Sequence, residues 1–158
     1  MREDDMRLAL AHPWVKFCTD YNAEELDGPF FEGQMAHPRA FGTYPRIVGR
    51  YVRDEHLLTL EEAVRKSTSA VAQRVGLLDR GQIRAGFAAD LVIFDAQKLL
   101  DTATFEKPAA YPEGVKHVVV NGVISVRDGT PTGRDKSRRR RGPLGFKRRI
   151  DALFASSG

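Results

Sequence analysis

The sequence predicts a mixed α/β chain, and three observations carry that prediction. Segments with helical periodicity or helix-start chemistry crowd the first half, at 3–12, 44–54, 60–68 and 69–75. A short β-former run, Trp14-Val15-Lys16-Phe17-Cys18, interrupts them. The second half holds strand-like runs at 90–95, 115–120 and 123–127, and the last two flank Asn121-Gly122, a strong short hairpin signal.

Taken in order, residues 3–12 (EDDMRLALAH) are expected to be helical. Met6, Leu8, Ala9 and Leu10 give an apolar side, and the acidic residues sit at the start, where the helix dipole favours them. Pro13 ends the helix. The run 14–18 reads as a strand, with Thr19-Asp20 at its end. Residues 20–43 are rich in Gly, Pro, Asn and Asp and read as one long loop, a length that in a compact domain marks function or disorder. Residues 44–54 read as a helix with Pro45 in its first turn. Thr59 is the expected N-cap of a helix over 60–68, with Glu62 at the capping-box position. A second short helix covers 69–75, and Gly76 is its stop signal.

Residues 80–89 (RGQIRAGFAA) are turn-rich. The run 90–95 (DLVIFD) is nearly unbroken in its apolar character and is expected to be buried on both faces. No internal repeat is visible. A strand needs neighbours to pair with, and none is evident for 14–18. The helical and strand halves are therefore expected in different layers, with pairing partners for 14–18 missing.

Composition bounds the function. A chain of 158 residues, 42% hydrophobic and 29% charged, is sized and balanced for a soluble globular domain with a core. No run approaches the roughly 18 apolar residues of a membrane span. The N-terminus has neither an apolar h-region nor a small-residue cleavage site, so no signal peptide is expected. Cys18 is the single cysteine and cannot form an internal disulfide; a cytoplasmic protein is the simplest expectation.

The net charge of +4 is unevenly spread. Residues 134–149 (RDKSRRRRGPLGFKRR) set nine basic side chains against Asp135 alone, so the rest of the chain is net acidic. The favoured reading of 134–158 is a flexible, solvated tail, with a short helix over 148–154; the competing one is a polyanion-binding arm working by counterion release. Apart from Phe146 no aromatic is interleaved, and nucleic acid is not an expected partner.

Several stretches resemble a known family. His12 through Asp20 (HPWVKFCTD) resembles the end of the eighth barrel strand in D-aminoacylase-like amidohydrolases, the N-acyl-D-amino-acid deacylases. His37 through Arg46 (HPRAFGTYPR) resembles their loop after that strand and is the most specific block. The likeness continues through GRYVR at 49–53, LEEAVRK at 60–66, Arg80-Gly81, 86–89, DLVIFD at 90–95, Thr104-Phe105, YPEGV at 111–115 and HVVVNG at 117–122. It covers roughly 1–133.

The resemblance implies a composite fold. Residues 1–75 would be the last strand, rim loop and helices of a TIM-like metal-dependent hydrolase barrel, and 76–133 the C-terminal part of a small β-sandwich. It also implies zinc as cofactor, a small N-acyl amino acid as substrate, and hydrolysis of its amide bond. The family's His-x-His pair and its other histidine ligands have no counterpart, since His12, His37, His56 and His117 lack that spacing. The isolated chain is therefore expected to be weakly active or inactive, and a separate chain supplying the rest of the barrel is a possible partner. A non-catalytic protein that binds acidic partners through its tail is the alternative from another class.

Asp20 is the leading catalytic candidate. Catalytic residues of barrel enzymes sit at the C-terminal ends of strands, where Asp20 is expected, and a carboxylate there can carry a proton from attacking water to a leaving nitrogen. By resemblance it also touches the metal. The competing reading is a loop aspartate in an Asx-turn near Asn22. Tyr21 stands where many relatives place a small residue, which bears on substrate preference. His37, Arg39 and Arg46 are substrate-binding candidates because a guanidinium can hold a carboxylate bidentately; the favoured competing role is fastening the loop to the barrel rim. Gly42 is expected to serve backbone geometry. Cys18 is not expected to be a nucleophile, lacking a visible base. His12 and His117 are not expected to be metal ligands.

Overall fold

The computed structural model describes residues 2–21 and 37–133. Four α-helices come first: α1 spans Glu3–Ala11, α2 Arg39–Arg46, α3 Leu60–Ser67 and α4 Ser69–Arg74. A π-helical segment, Ile47–Asp54, continues α2 without a break. Strands β1 (Leu91–Phe94), β2 (Val115–Val120), β3 (Val123–Arg127) and β4 (Thr130–Pro131) follow. They form one antiparallel sheet in sequence order. Helices and sheet are thus segregated along the chain instead of alternating. The basic tail and the helix expected over 148–154 lie outside the described residues, as do positions 22–36 of the expected loop. Among the described residues no helix is long and apolar enough to cross a membrane.

α1 opens on Glu3, Asp4 and Asp5, which complement the helix dipole. Its apolar side is narrower than the sequence promises. Leu10 is buried with Met6 packed beside it, one turn apart, but Leu8 points outward and is 66% exposed. Leu10 joins Phe17, Ile47, Tyr51 and Ala63 in the main core, with Val52, Leu57 and Leu58 packed around it. That core binds α1, the π segment and α3 into one layer. Arg7 and Arg50 close it from outside by gripping Glu55, with Arg7 Nε and Arg50 Nε each 2.8 Å from a carboxylate oxygen.

The run 14–18 does not form a strand. Its first residue lies in the turn that follows α1, where Val15 N donates to His12 O at 3.2 Å; the rest has no regular secondary structure, and among the described residues it has no sheet partner. Its interstrand bonds are replaced by one to a helix: Phe17 N donates to Lys66 O at 3.4 Å. β-propensity alone does not make a strand, because a ladder needs a neighbour and the described residues bring none to this segment.

The helix expected to begin at Tyr44 begins at Arg39, so 39–43 belong to α2 and not to the loop. Gly42, expected at the end of the loop, and Pro45, expected in the first turn of the helix, are both buried inside α2. Pro45 gives no N–H to the helix ladder, and two residues later the backbone widens to five-residue steps, as in Glu55 N to Arg50 O at 2.8 Å. The wider turn has a packing reason as well. A β-carbon on Gly49 would stand 2.5 Å from Leu99 O, so only glycine lets the segment approach 99 this closely.

Half of the expected capping box exists. Thr59 Oγ1 accepts from Glu62 N at 3.2 Å. The Glu62 carboxylate does not return to the Thr59 amide; Arg65, one turn on, takes both its oxygens at 2.7 Å.

The hairpin stands where Asn-Gly puts it. Asn121 (φ 50) and Gly122 (φ 78) both adopt the positive φ of a tight two-residue turn. Val120 pairs with Val123 beside that turn, and a bulge follows between Val118 and Val119. Asp128-Gly129 repeats the chemistry (φ 49 and 76) and leads into β4. β1 is shorter than expected and is not buried on both faces: Val92 is 54% and Ile93 53% exposed. A buried strand needs a layer on each side, and the described residues lay no second sheet on this one.

Candidate functional site

The segment leaving Phe17 ends in a turn that presents Asp20. Thr19 supplies the local turn bonds, its Oγ1 accepting from Tyr21 N at 3.3 Å and donating to Tyr21 O at 3.2 Å. Asp20 itself takes a positive φ of 49°, outside the usual range for a residue with a side chain. Its carboxylate is 84% exposed and lies 3.5 Å from Arg39 Nη2. An exposed pair at that distance contributes little to stability. What it does is set the carboxylate beside a cation at the start of α2.

Arg39 is held from three sides. Its backbone N donates to His37 Nδ1 at 3.1 Å, satisfying a first-turn amide that the helix leaves open. Its carbonyl accepts from Thr43 Oγ1 at 2.7 Å. Its guanidinium lies 6.0 Å from the Tyr21 ring centroid, at the limit of a cation–π contact. His37 in turn meets Phe105 edge-on, with ring centroids 5.2 Å apart, and Phe105 is 77% exposed. Asp20, Tyr21, His37, Arg39 and Phe105 therefore form one open cluster of mixed charge and aromatic character.

Arg46 is not part of that cluster. Seven residues along the helix from Arg39, it stands about 10 Å further down the axis. Its Nη1 donates to Asp101 Oδ2 at 3.0 Å. Burial works against its charge, but hydrogen bonds to Tyr51 and Asp101 more than offset this and raise its pKa. Tyr51 passes the link on, its hydroxyl donating to Glu3 Oε1 at 3.0 Å. Burial, and to a lesser degree Glu3, pushes the Tyr51 phenol up. Arg46 thus joins α2 to the segment after β1 and, through Tyr51, to α1. Nothing in the sequence singled out Tyr51 or Asp101, since neither sits in a recognisable spacing with a partner 50 or so residues away.

Cys18 is exposed. Tyr44 lies near it; burial, with Cys18 second, raises the Tyr44 phenol. His12 stacks on Trp14 at 5.3 Å, and His117 Nε2 stands 3.8 Å from Asp128.

A metal site needs at least three protein ligands converging on one point. Among the described residues no three His, Cys, Asp or Glu side chains do so. The residues present do not by themselves fit a zinc ion, and Asp20 has a guanidinium as its neighbour.

Residues 6–126 match the amidohydrolase family. A D-aminoacylase of Alcaligenes xylosoxydans xylosoxydans is 47% identical over 105 residues, 66% of this chain and 22% of that protein. An N-acyl-D-glutamate deacylase of the same organism is 45% identical over 98 residues, 62% of this chain and 20% of that protein. Among solved structures, a D-aminoacylase described as defining a novel subset of amidohydrolases superposes with a TM-score of 0.74 at 39% identity, over 85% of this chain and 27% of that one. The N-acyl-D-glutamate deacylase of Bordetella bronchiseptica, solved with zinc and a phosphonate mimic of the tetrahedral intermediate, superposes with 0.71 at 33% identity, over 83% and 27%. The functional role of a binuclear metal centre is the subject of a further D-aminoacylase structure. The chain thus spans between a fifth and just over a quarter of the length of these relatives.

Proposed function

This chain belongs to the amidohydrolase family, and from that premise we propose that it is the Asp20-bearing portion of a hydrolase that cleaves the amide bond of N-acyl-D-amino acids. The relatives by name are D-aminoacylases and N-acyl-D-amino-acid deacylases. In this reading 1–75 forms the end of the barrel, 76–133 part of the β-sandwich, and 134–158 an appended basic tail.

The observation that carries the reading is the Asp20–Arg39 pair, which joins the end of the HPWVKFCTD block to the start of the HPRAFGTYPR block. A carboxylate in the turn that ends this segment accepts a proton from attacking water and returns it to the leaving nitrogen, which completes the free amino acid. Arg39 would hold the substrate carboxylate, with His37 and Tyr21 bordering it. Arg46 fits an anchoring role better than a substrate-binding one, because Asp101 and Tyr51 already engage its guanidinium. Zinc, expected from the resemblance and present in one relative's structure, needs ligands beyond those the described residues bring together. The remainder of a barrel, in one chain or in a partner chain, would supply them.

The test is release of free D-amino acid from N-acetyl-D-amino acids. We expect no steady turnover from the 158-residue chain with added zinc. We expect turnover when the chain is combined with a separately expressed barrel portion from a deacylase relative, and its loss in Asp20→Asn. Turnover by the chain alone with stoichiometric zinc overturns the need for a partner; turnover in the assembled Asp20→Asn form overturns the role of Asp20.

A second reading rests on the nine basic residues within 134–149. It makes the chain an interaction protein for acidic partners, and predicts salt-dependent binding that deletion of 134–149 abolishes.

A further inference from the structure

Lys66 is the one charged side chain fully buried among the described residues, with 0% of its surface exposed. Its Nζ donates to Leu10 O at 2.5 Å and to His12 O at 2.6 Å. The Phe17 ring centroid lies 5.6 Å from the same nitrogen. Among the described residues no carboxylate stands within ion-pairing distance of it. Burial pushes its pKa down, as expected for an ammonium removed from water. A cation in such a place is costly unless hydrogen bonds replace the water it has lost.

The bonds define what it holds. The carbonyls of Leu10 and His12 close the C-terminal end of α1, a helix with no basic residue in its own last turn. Lys66 supplies from α3 the positive charge that this pole of the dipole favours. Its neighbour Arg65 donates to Pro13 O at 2.8 Å, and the Lys66 carbonyl accepts Phe17 N at 3.4 Å. Four hydrogen bonds from two adjacent residues thus grip the chain between 10 and 17, three positions before Asp20.

We propose that Lys66 is a positioning residue for Asp20: it fixes the path of the chain from α1 into the segment that carries the carboxylate, without touching the carboxylate itself. The functional meaning rests on the role proposed above for Asp20; the structural part does not. Among the described residues this segment has no sheet partner, so its course is set by these bonds and by the burial of Phe17. In the complete family fold a barrel strand would be laddered by neighbours, and here the last turn of α3 supplies a grip from outside that ladder.

The sole thiol, Cys18, is exposed and lies between the grip and Asp20, so a nitroxide attached to it reports the order of this segment by electron paramagnetic resonance. In the full 158-residue chain, Lys66→Met keeps the stem and removes the donors. We expect the label to become several-fold more mobile while amides of β2 and β3 keep their exchange protection, and the Phe17 amide to exchange about tenfold faster or more. Lys66→Gln keeps an uncharged amide donor on a shorter stem, should give an intermediate result, and is the variant to read if Lys66→Met does not fold. A general loss of stability would not raise label mobility under native conditions. Unchanged mobility and Phe17 exchange in a folded variant overturn the proposal. In the assembled enzyme we expect Lys66→Met to lower kcat about tenfold or more with KM little changed. Lowered order at Cys18 with kcat unaffected would retain the grip and overturn its service to Asp20. Absence of deacylase activity in every assembled form would instead fall on the reading of Asp20 and leave the label result standing.

Discussion

Gly49 faces the carbonyl oxygen of Leu99 so closely that a β-carbon would come within 2.5 Å of it. The obstacle is backbone and cannot rotate away. We therefore expect Gly49→Ala to destabilise the chain by about 1–3 kcal/mol, the range for forced overpacking, measured by urea unfolding. Gly122→Ala makes the useful contrast. Nothing crowds that position, but its φ of 78° penalises any side chain. About 1–2 kcal/mol is expected there from backbone strain alone.

Arg46 and Asp101 are 55 positions apart, and the Asp101 side chain is only 14% exposed. A double-mutant cycle with Arg46→Ala, Asp101→Ala and the double variant should return a coupling near the top of the range for exposed pairs, about 1 kcal/mol. Coupling near zero would remove Arg46 as the anchor of α2 and return it to the list of substrate-binding candidates.

Glu55 gives the chain a pH dependence. Hydrogen bonds from Arg7 and then Arg50 hold its carboxyl down from 4.5 to about 2, against the opposing effect of burial. The folded state thus favours the ionised form. Its contribution is fully present above the ordinary carboxylate range and is lost as pH falls from about 4.5 through about 2. Denaturation midpoints followed over that window should fall less steeply in Glu55→Gln than in the parent chain.

Arg39→Gln should leave stability within about 0.5 kcal/mol of the parent, because the pair it makes with Asp20 is exposed on both sides. In the assembled enzyme the same substitution should raise KM for N-acyl amino acids well above the parent value. A stability loss of several kcal/mol would mean that Arg39 serves the fold and not the substrate.

The sequence was most legible where short-range chemistry decides. Asn121-Gly122 dictated the hairpin, Thr59 the start of α3, and the acidic run at 3–5 the start of α1. It was least legible where distant partners decide. Strand propensity at 14–18 could not reveal that the segment would dock on Lys66, and the Gly and Pro content of 20–43 hid the start of α2 at Arg39. Asp128-Gly129 carried the same signal as Asn121-Gly122 and was there to be read. Of the candidate site, Asp20, His37 and Arg39 were named from sequence and stand together. The separation of Arg46 from them follows from helix pitch once α2 is known to begin at Arg39.

The order of the strands in the sheet has a kinetic consequence. β2 and β3 meet across a two-residue turn, and β4 joins across another. Such neighbours find each other quickly because little chain must be looped out. The helical layer closes over much longer separations, 48 residues from Arg7 to Glu55 and 56 from Leu10 to Lys66. On refolding from denaturant the hairpin should therefore regain protection ahead of the grip on α1, and the position of Asp20 would be among the last features of the chain to be settled.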